Sequence, residues 1–268
     1  MTLTPIVQAH GIARRDALRG TTLLQPTDFA LYGGDQVAIT GPSGAGKSVL
    51  LRALALLDPL SSGSVRWRGR PVTRAAIPLY RREIAYVRQR AAILDGTVED
   101  NLRYPYSLRV YRDLRFDRGV ARELAAHAGR GADFLERDAS DLSGGEAQLM
   151  ALIRVLQLQP QALLLDEPTA SLDPESALAG EALIRAWFAQ GTSPRAWVWI
   201  SHDTAQALRV GTRQLTMRAG VLSEAATPAA AGTASAREAT TQDPPDAQHT
   251  REVRDTRTAR GIDKESTR

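Results

Sequence analysis

Cysteine is absent from the 268-residue chain. That excludes disulfides and thiolate metal sites and fits a reducing compartment. Lysine is nearly absent: of 34 basic residues, only Lys47 and Lys264 are lysine and the rest are arginine. So general a bias points to GC-rich coding. The net charge of +4 is therefore no sign of nucleic-acid binding, and no nucleic acid is expected as a partner. Long apolar runs are missing too, none approaching the roughly 20 residues of a membrane helix. The N-terminus, MTLTPIVQAHGIARRD, lacks a basic start followed by an apolar block, so no signal peptide is read. Arg14-Arg15 has no apolar stretch behind it, which argues against twin-arginine export. A transport role would need another chain to cross the membrane.

Within the arginine-rich chain, residues 66–90 form a basic cluster in which Glu83 is the one acid. It reads as a solvated face, or as a surface towards lipid headgroups or an acidic partner. Residues 1–224 alternate apolar runs with turn signals, as one mixed α/β domain does. Composition changes at Ala225. The segment 225–268 has only Val253 and Ile262 as larger aliphatics. It cannot bury enough apolar surface to offset its ordering entropy, and a disordered tail is expected.

Three apolar strands each run into polar residues. Gln36–Thr40 leads into a glycine-rich loop, Ala162–Leu165 into Asp166-Glu167, and Trp197–Ile200 into Ser201-His202. Continuous apolar strands suit a parallel sheet covered on both faces. In such sheets the chemistry lies at the carboxyl ends of the strands.

The loop Gly41-Pro42-Ser43-Gly44-Ala45-Gly46-Lys47-Ser48 matches the phosphate-binding pattern G-x-x-x-x-G-K-[ST] in full. Glycines let backbone N–H groups converge on phosphate oxygens. A helix expected over residues 47–57, stopped by Asp58-Pro59, adds its positive N-terminal end. Lys47 would reach the β- and γ-phosphates of a nucleotide and Ser48 would ligate Mg²⁺. Asp166 fits the acid that holds Mg²⁺, directly or through water, and Glu167 the base that polarises the attacking water. Leu142-Ser143-Gly144-Gly145-Glu146 has capping-box spacing before an apolar helix. Ser143, Gly144 and Gly145 at a helix start also suit a γ-phosphate, which need not belong to the same chain.

A phosphate loop, LSGGE and an apolar strand ending in Asp-Glu, in that order, resemble the ABC ATPases, over roughly residues 4–222. The resemblance implies an α/β P-loop NTPase: a RecA-like core with an antiparallel β subdomain and a helical subdomain at about 91–142. It implies ATP and Mg²⁺ as ligands. It also implies a head-to-tail homodimer, each ATP lying between one chain's phosphate loop and the other chain's Ser143–Glu146. Gln89, in IAYVRQ, resembles the glutamine that senses Mg²⁺ and water and links to a membrane partner. Ser171-Leu172-Asp173 resembles the loop that communicates across the dimer, and His202 the histidine that contacts the γ-phosphate. Catalysis would then rest on Glu167, His202 and Gln89. The implied partner is a separate transmembrane permease holding the chain at the cytoplasmic face of the cell membrane.

ITGPSGAGKSVLLRALALLDPLSSG, YRREIAYVRQ, LDGTVEDNLRYPY and IRVLQLQPQALLLDEPTASLD are further similar to the ATP-binding subunit of the Fet-type exporters. That subgroup is associated with iron export, and its plant relatives with metal tolerance. Nothing in the chain resembles an iron site, since His10, His127, His202 and His249 are scattered. The sequence also departs from the family pattern. No aromatic residue falls near Ile12–Arg15, where one usually stacks on adenine, so weak discrimination between ATP and GTP is expected. Ile12 would offer the base only an apolar surface, Arg14 or Arg15 could lay a guanidinium plane against the ring, and Ile12→Tyr would gain affinity. Val49 stands where a small hydroxyl residue is common. The competing class is a soluble ABC ATPase acting on DNA or ribosomes. The compact stretch between Gln89 and Ser143, and a single ATPase module, favour a transporter. A nucleotide-binding regulator without turnover is opposed by the presence of both Glu167 and His202.

Overall fold

The computed structural model describes residues 4–191 and 193–225. The expected disordered tail, apart from Ala225, lies outside them. The described residues carry two sheets. The first comprises β1 (Val7–Arg15), β2 (Thr22–Leu31), β4 (Ser62–Trp67) and the short β5 (Arg70–Pro71), antiparallel in the order β2-β1-β4-β5. The second contains β3 (Gln36–Thr40), β6 (Ile84–Val87), β7 (Ala162–Asp166), β8 (Ala196–Ile200), β9 (Arg213–Arg218) and β10 (Val221–Glu224), in the order β10-β9-β3-β8-β7-β6. Its strands are parallel except for the edge strand β10.

Alternation along the central strands divides the core. Val37, Ile39, Ala162, Leu164, Val198 and Ile200 face one cluster, which includes Leu50, Leu51 and Leu54 of α1 (Lys47–Leu54) and the buried residues of β1 and β2. Ala38, Leu163, Leu165, Trp197 and Trp199 face the other, against α5 (Gly144–Leu156) and α6 (Pro174–Ala189). Both faces are covered, which is why the strands are apolar throughout.

Helix α2 (Ile77–Glu83) and strand β6 are followed by a stretch in which every named element before α5 is helical. Here α3 (Val98–Arg103) is started by a Thr97–Asp100 capping box and α4 (Arg118–His127) by the Asp117 side chain. The last helix, α7 (Thr204–Val210), is capped by Asp203.

Helix α1 stops short of the expected residue 57. Leu56 takes a left-handed φ of 54°. Its N–H donates to the Ala53 carbonyl at 3.0 Å and that of Leu57 to Arg52 at 2.9 Å. This is a Schellman termination with leucine in the place glycine usually holds. Partial burial of Leu56 against the core offsets the conformational cost.

Candidate functional site

Four parallel strands deliver the site residues to one edge of the sheet. The loop after β3 begins at Gly41, whose φ is 143°. An added Cβ there would lie 2.2 Å from the Met217 carbonyl oxygen, so the loop closes against β9 only with glycine. Gly46, at φ 102°, caps α1 without a side-chain acceptor, and the first turn holds no acid. The helix therefore presents unshared N–H groups and its positive end to a phosphate. Lys47 is buried, its Nζ donating to the carbonyls of Gly41 at 2.8 Å and Pro42 at 3.0 Å. The ammonium is thus already folded into the loop where phosphate oxygens would lie.

One residue on, the Ser48 hydroxyl donates to Asp166 Oδ1 at 2.8 Å. Tyr86, at the second-last position of β6, donates its phenol to Asp166 Oδ2 at 2.8 Å. Burial and the Asp166 carboxylate push the Tyr86 phenol above its ordinary range. A hydroxyl and a buried carboxylate side by side are hard oxygen donors of the kind Mg²⁺ takes together with substrate phosphates. Among the described residues no cluster of three or more His, Cys, Asp or Glu forms a metal cage, and a nucleotide-bound Mg²⁺ needs none.

Glu167 follows at φ 49°, a left-handed conformation rare for a residue with a long side chain. It turns the carboxylate away from the direction β7 would have given it. Gln89 Nε2 donates to Glu167 Oε2 at 2.9 Å, and His202 Nδ1 lies 3.5 Å from the same oxygen. The site thereby gathers the residues after β3, β6, β7 and β8: Ser48, Gln89, Asp166, Glu167 and His202.

Ser143, Gly144 and Gly145 are not part of that gathering. Ser143 Oγ accepts from the Glu146 N–H at 3.2 Å, and Glu146 Oε2 accepts from the Ser143 N–H at 3.0 Å, a complete capping box. Arg137 donates to Glu146 at 2.5 Å. That hydrogen bond is the main reason the Glu146 carboxyl falls to about 2. Ser143 and Gly144 are exposed, at the start of a 13-residue helix.

The sequence did not single out several supporting residues. Gln148, buried on α5, donates to the Arg88 carbonyl at 3.0 Å and ties that helix to the segment bearing Gln89. Gln206 accepts from Ser201 at 2.8 Å and donates to Thr169 at 2.8 Å and Glu181 at 2.9 Å. It joins the loops that carry Glu167 and His202. Tyr86 stands three residues before Gln89, yet its contact depends on sheet register.

Ile12 overturns one expectation. It is fully buried and offers a base no surface. Arg14 is spent on the Pro59 carbonyl at 2.6 Å, while Arg15 is exposed. Much of the basic cluster is also structural. Arg81 donates to the carbonyls of Ala55 and Leu56, Arg82 to Val110 and Asp113, and Arg68 to Gln161 and Glu83.

The ABC transporter family model matches residues 24–170. The chain belongs to the ABC transporter family. As an ABC ATPase it is 37% identical over 206 residues to the putative ABC transporter ATP-binding protein YjkB of Bacillus subtilis, covering 76% of this chain and 79% of that one. It is 33% identical over 181 residues to the probable iron export ATP-binding protein FetA of Escherichia coli, covering 68% and 78%. It is also 34% identical over 225 residues to Protein STAR1 of rice, covering 84% of this chain but 63% of the rice protein's length. A phosphate import protein, PstB 2 of Natronomonas pharaonis, reaches 37% over 217 residues, covering 77% and 75%. Among solved structures, a bacterial Atm1-family ABC exporter with ATP bound superposes with a TM-score of 0.70 at 26% identity, over 84% of this chain and 39% of that one. An ATP-binding cassette solved as a dimer in a post-hydrolysis state with ADP and Pi gives a TM-score of 0.71 at 23% identity, over 81% and 98%. The expected P-loop NTPase fold of an ABC ATPase is the fold observed.

Proposed function

We propose that this ABC ATPase binds Mg-ATP between its own phosphate loop and Ser143–Gly145 of a second copy, with Glu167 as general base. It powers a separate membrane-spanning permease at the cytoplasmic face of the membrane, and that permease exports its cargo, an iron or other metal ion. The observation that carries the catalytic reading is the placement of Glu167. Its hydrogen bond from Gln89 and its approach to His202 both fall on Oε2. Oε1 is left to accept a proton from water.

In the reaction, the water oxygen attacks the γ-phosphorus, the bond to the ADP oxygen breaks, and the water proton passes to Glu167 Oε1. The transition state is loose, so positioning and charge neutralisation dominate. Backbone N–H groups of residues 41–48 and the Lys47 ammonium hold the phosphates. Ser48, Asp166 and Gln89 are the residues that would hold Mg²⁺, which would supply charge to neutralise the phosphates. His202, exposed and beside Glu167, would touch the γ-phosphate. Ser143 and Gly144 face solvent at a helix start with a positive end, as a site completed by a second copy requires.

The export reading is supported by the stretches similar to Fet-type subunits and by the identity to the iron-export relative. Identity to an importer subunit is higher, 37% against 33%, and a transport assay distinguishes the two directions. No helix among the described residues is long and apolar enough to cross a membrane. Co-expression with the membrane protein encoded beside it should yield a co-purifying complex. Inverted vesicles holding that complex should take up iron with ATP and not with a non-hydrolysable analogue. Binding to DNA or ribosomes with no membrane partner would favour the soluble class instead.

A further inference from the structure

We propose that Tyr86 is a positioning residue for ATP hydrolysis: its phenol locks the carboxylate of Asp166 in the orientation that receives Mg²⁺. This rests on the reading of Asp166 as the Mg²⁺-holding acid.

The argument begins with register. Strands β6 and β7 are parallel, with Tyr86 opposite Leu164. Side chains alternate along a strand, so Leu164 and Asp166 project to the same face, and Tyr86 projects with them. That is the face covered by α1, which carries Ser48. Asp166 is thus the diagonal neighbour of Tyr86, two residues beyond its direct partner. At that offset a short side chain falls short, whereas a tyrosine reaches across. It does so here, at 2.8 Å.

The two carboxylate oxygens of Asp166 are then divided. Oδ1 accepts from Ser48 and Oδ2 from Tyr86. With Ser48 alone the carboxylate could still turn about its last torsion, which is soft. The second donor removes that freedom. Oxygens keep further lone pairs for the ion or its water. Partners behind a metal-holding group commonly change metal affinity or activity 10- to 100-fold when removed.

The ring has a second neighbour. It lines a cavity of about 570 Å³ together with Arg52, Arg81, Arg88 and Tyr111.

Tyr86→Phe removes the hydroxyl and keeps the ring against the core. Binding of a fluorescent ATP analogue is measured with and without Mg²⁺ in a Glu167→Gln background, so that nothing is turned over. Tyr86→Phe should raise the Mg²⁺ concentration for half-maximal enhancement of binding about 10-fold. Mg²⁺-free nucleotide binding and the melting temperature should stay as in the Glu167→Gln protein. With Glu167 intact, Tyr86→Phe should lower kcat at limiting Mg²⁺ and recover much of it at saturating Mg²⁺. Asp166→Asn is the companion variant. If it leaves the Mg²⁺ dependence unchanged, the reading of Asp166 itself is wrong. If it abolishes the dependence while Tyr86→Phe shifts nothing, the role given to Tyr86 is overturned. A fall in melting temperature with Tyr86→Phe, and equal loss of binding with and without Mg²⁺, would reduce Tyr86 to a packing residue and equally overturn the proposal.

Discussion

The side-chain amide of Gln89 meets the carboxylate of Glu167 at 2.9 Å, across neighbouring parallel strands and between residues 78 positions apart in the chain. The bond holds Oε2 and leaves the other oxygen for water. Glu167 needs such a hold, because its backbone already sits at φ 49° and the side chain leaves the strand without a pleat to direct it. If Glu167 is the base, Glu167→Gln should bind ATP and lose turnover by at least about 10²-fold, the low end for general-base catalysis. Gln89→Ala leaves the base but frees it, and about a tenfold loss is expected. Where Gln89 acts by holding Glu167 rather than Mg²⁺, the double variant should be no slower than Glu167→Gln alone. Steady-state phosphate release with Mg-ATP measures all three. Additive losses would mean that Gln89 works through something other than Glu167.

Acid should probe the start of helix α5. The Arg137 hydrogen bond holds the Glu146 carboxyl at about 2, below its ordinary 4.5. A carboxyl depressed by folding contributes stability that is complete above its unfolded value. That contribution drains as pH falls from there towards the folded value. Melting temperature should therefore drop between pH 4.5 and about 2, and part of that slope should vanish in Arg137→Gln. Parallel curves for the two proteins would show that the pair does not couple to folding.

Ile12→Tyr now predicts a loss where the sequence promised a gain. Ile12 lies fully buried in the cluster beneath β1 and β2. Forcing a larger, polar-tipped ring into a packed core costs about 1–3 kcal/mol. Urea midpoints should fall while ATP affinity stays unchanged. A tighter ATP complex at unchanged stability would place residue 12 against the base after all.

Much of this was legible because the strands are apolar on both faces and end abruptly. Gln36–Thr40 was read to the residue, and the other two central strands extend one residue past the expected limits. The phosphate loop and Asp166-Glu167 follow at those ends, so their neighbourhood could be inferred from connectivity alone. What could not be read depends on geometry between distant segments. Tyr86 reaches Asp166, 80 positions away, through the pairing of β6 with β7, and no local pattern signals it. Helix α1 ends on a leucine in a left-handed conformation, with no glycine to mark it. Ile12 looked available because an alternating strand hides which of its faces is covered.

The scarcity of lysine turns the phosphate loop into a chemical address. Among the described residues Lys47 carries the one side-chain amine, and it lies with its nitrogen folded against two loop carbonyls. Outside them the chain has Lys264 and the terminal amine. With Lys264 exchanged for arginine and the terminus blocked, an amine-selective reagent has one place to react, and a nucleotide in the loop shields it. Covalent labelling then counts empty sites directly, molecule by molecule, without waiting for a phosphate to be released.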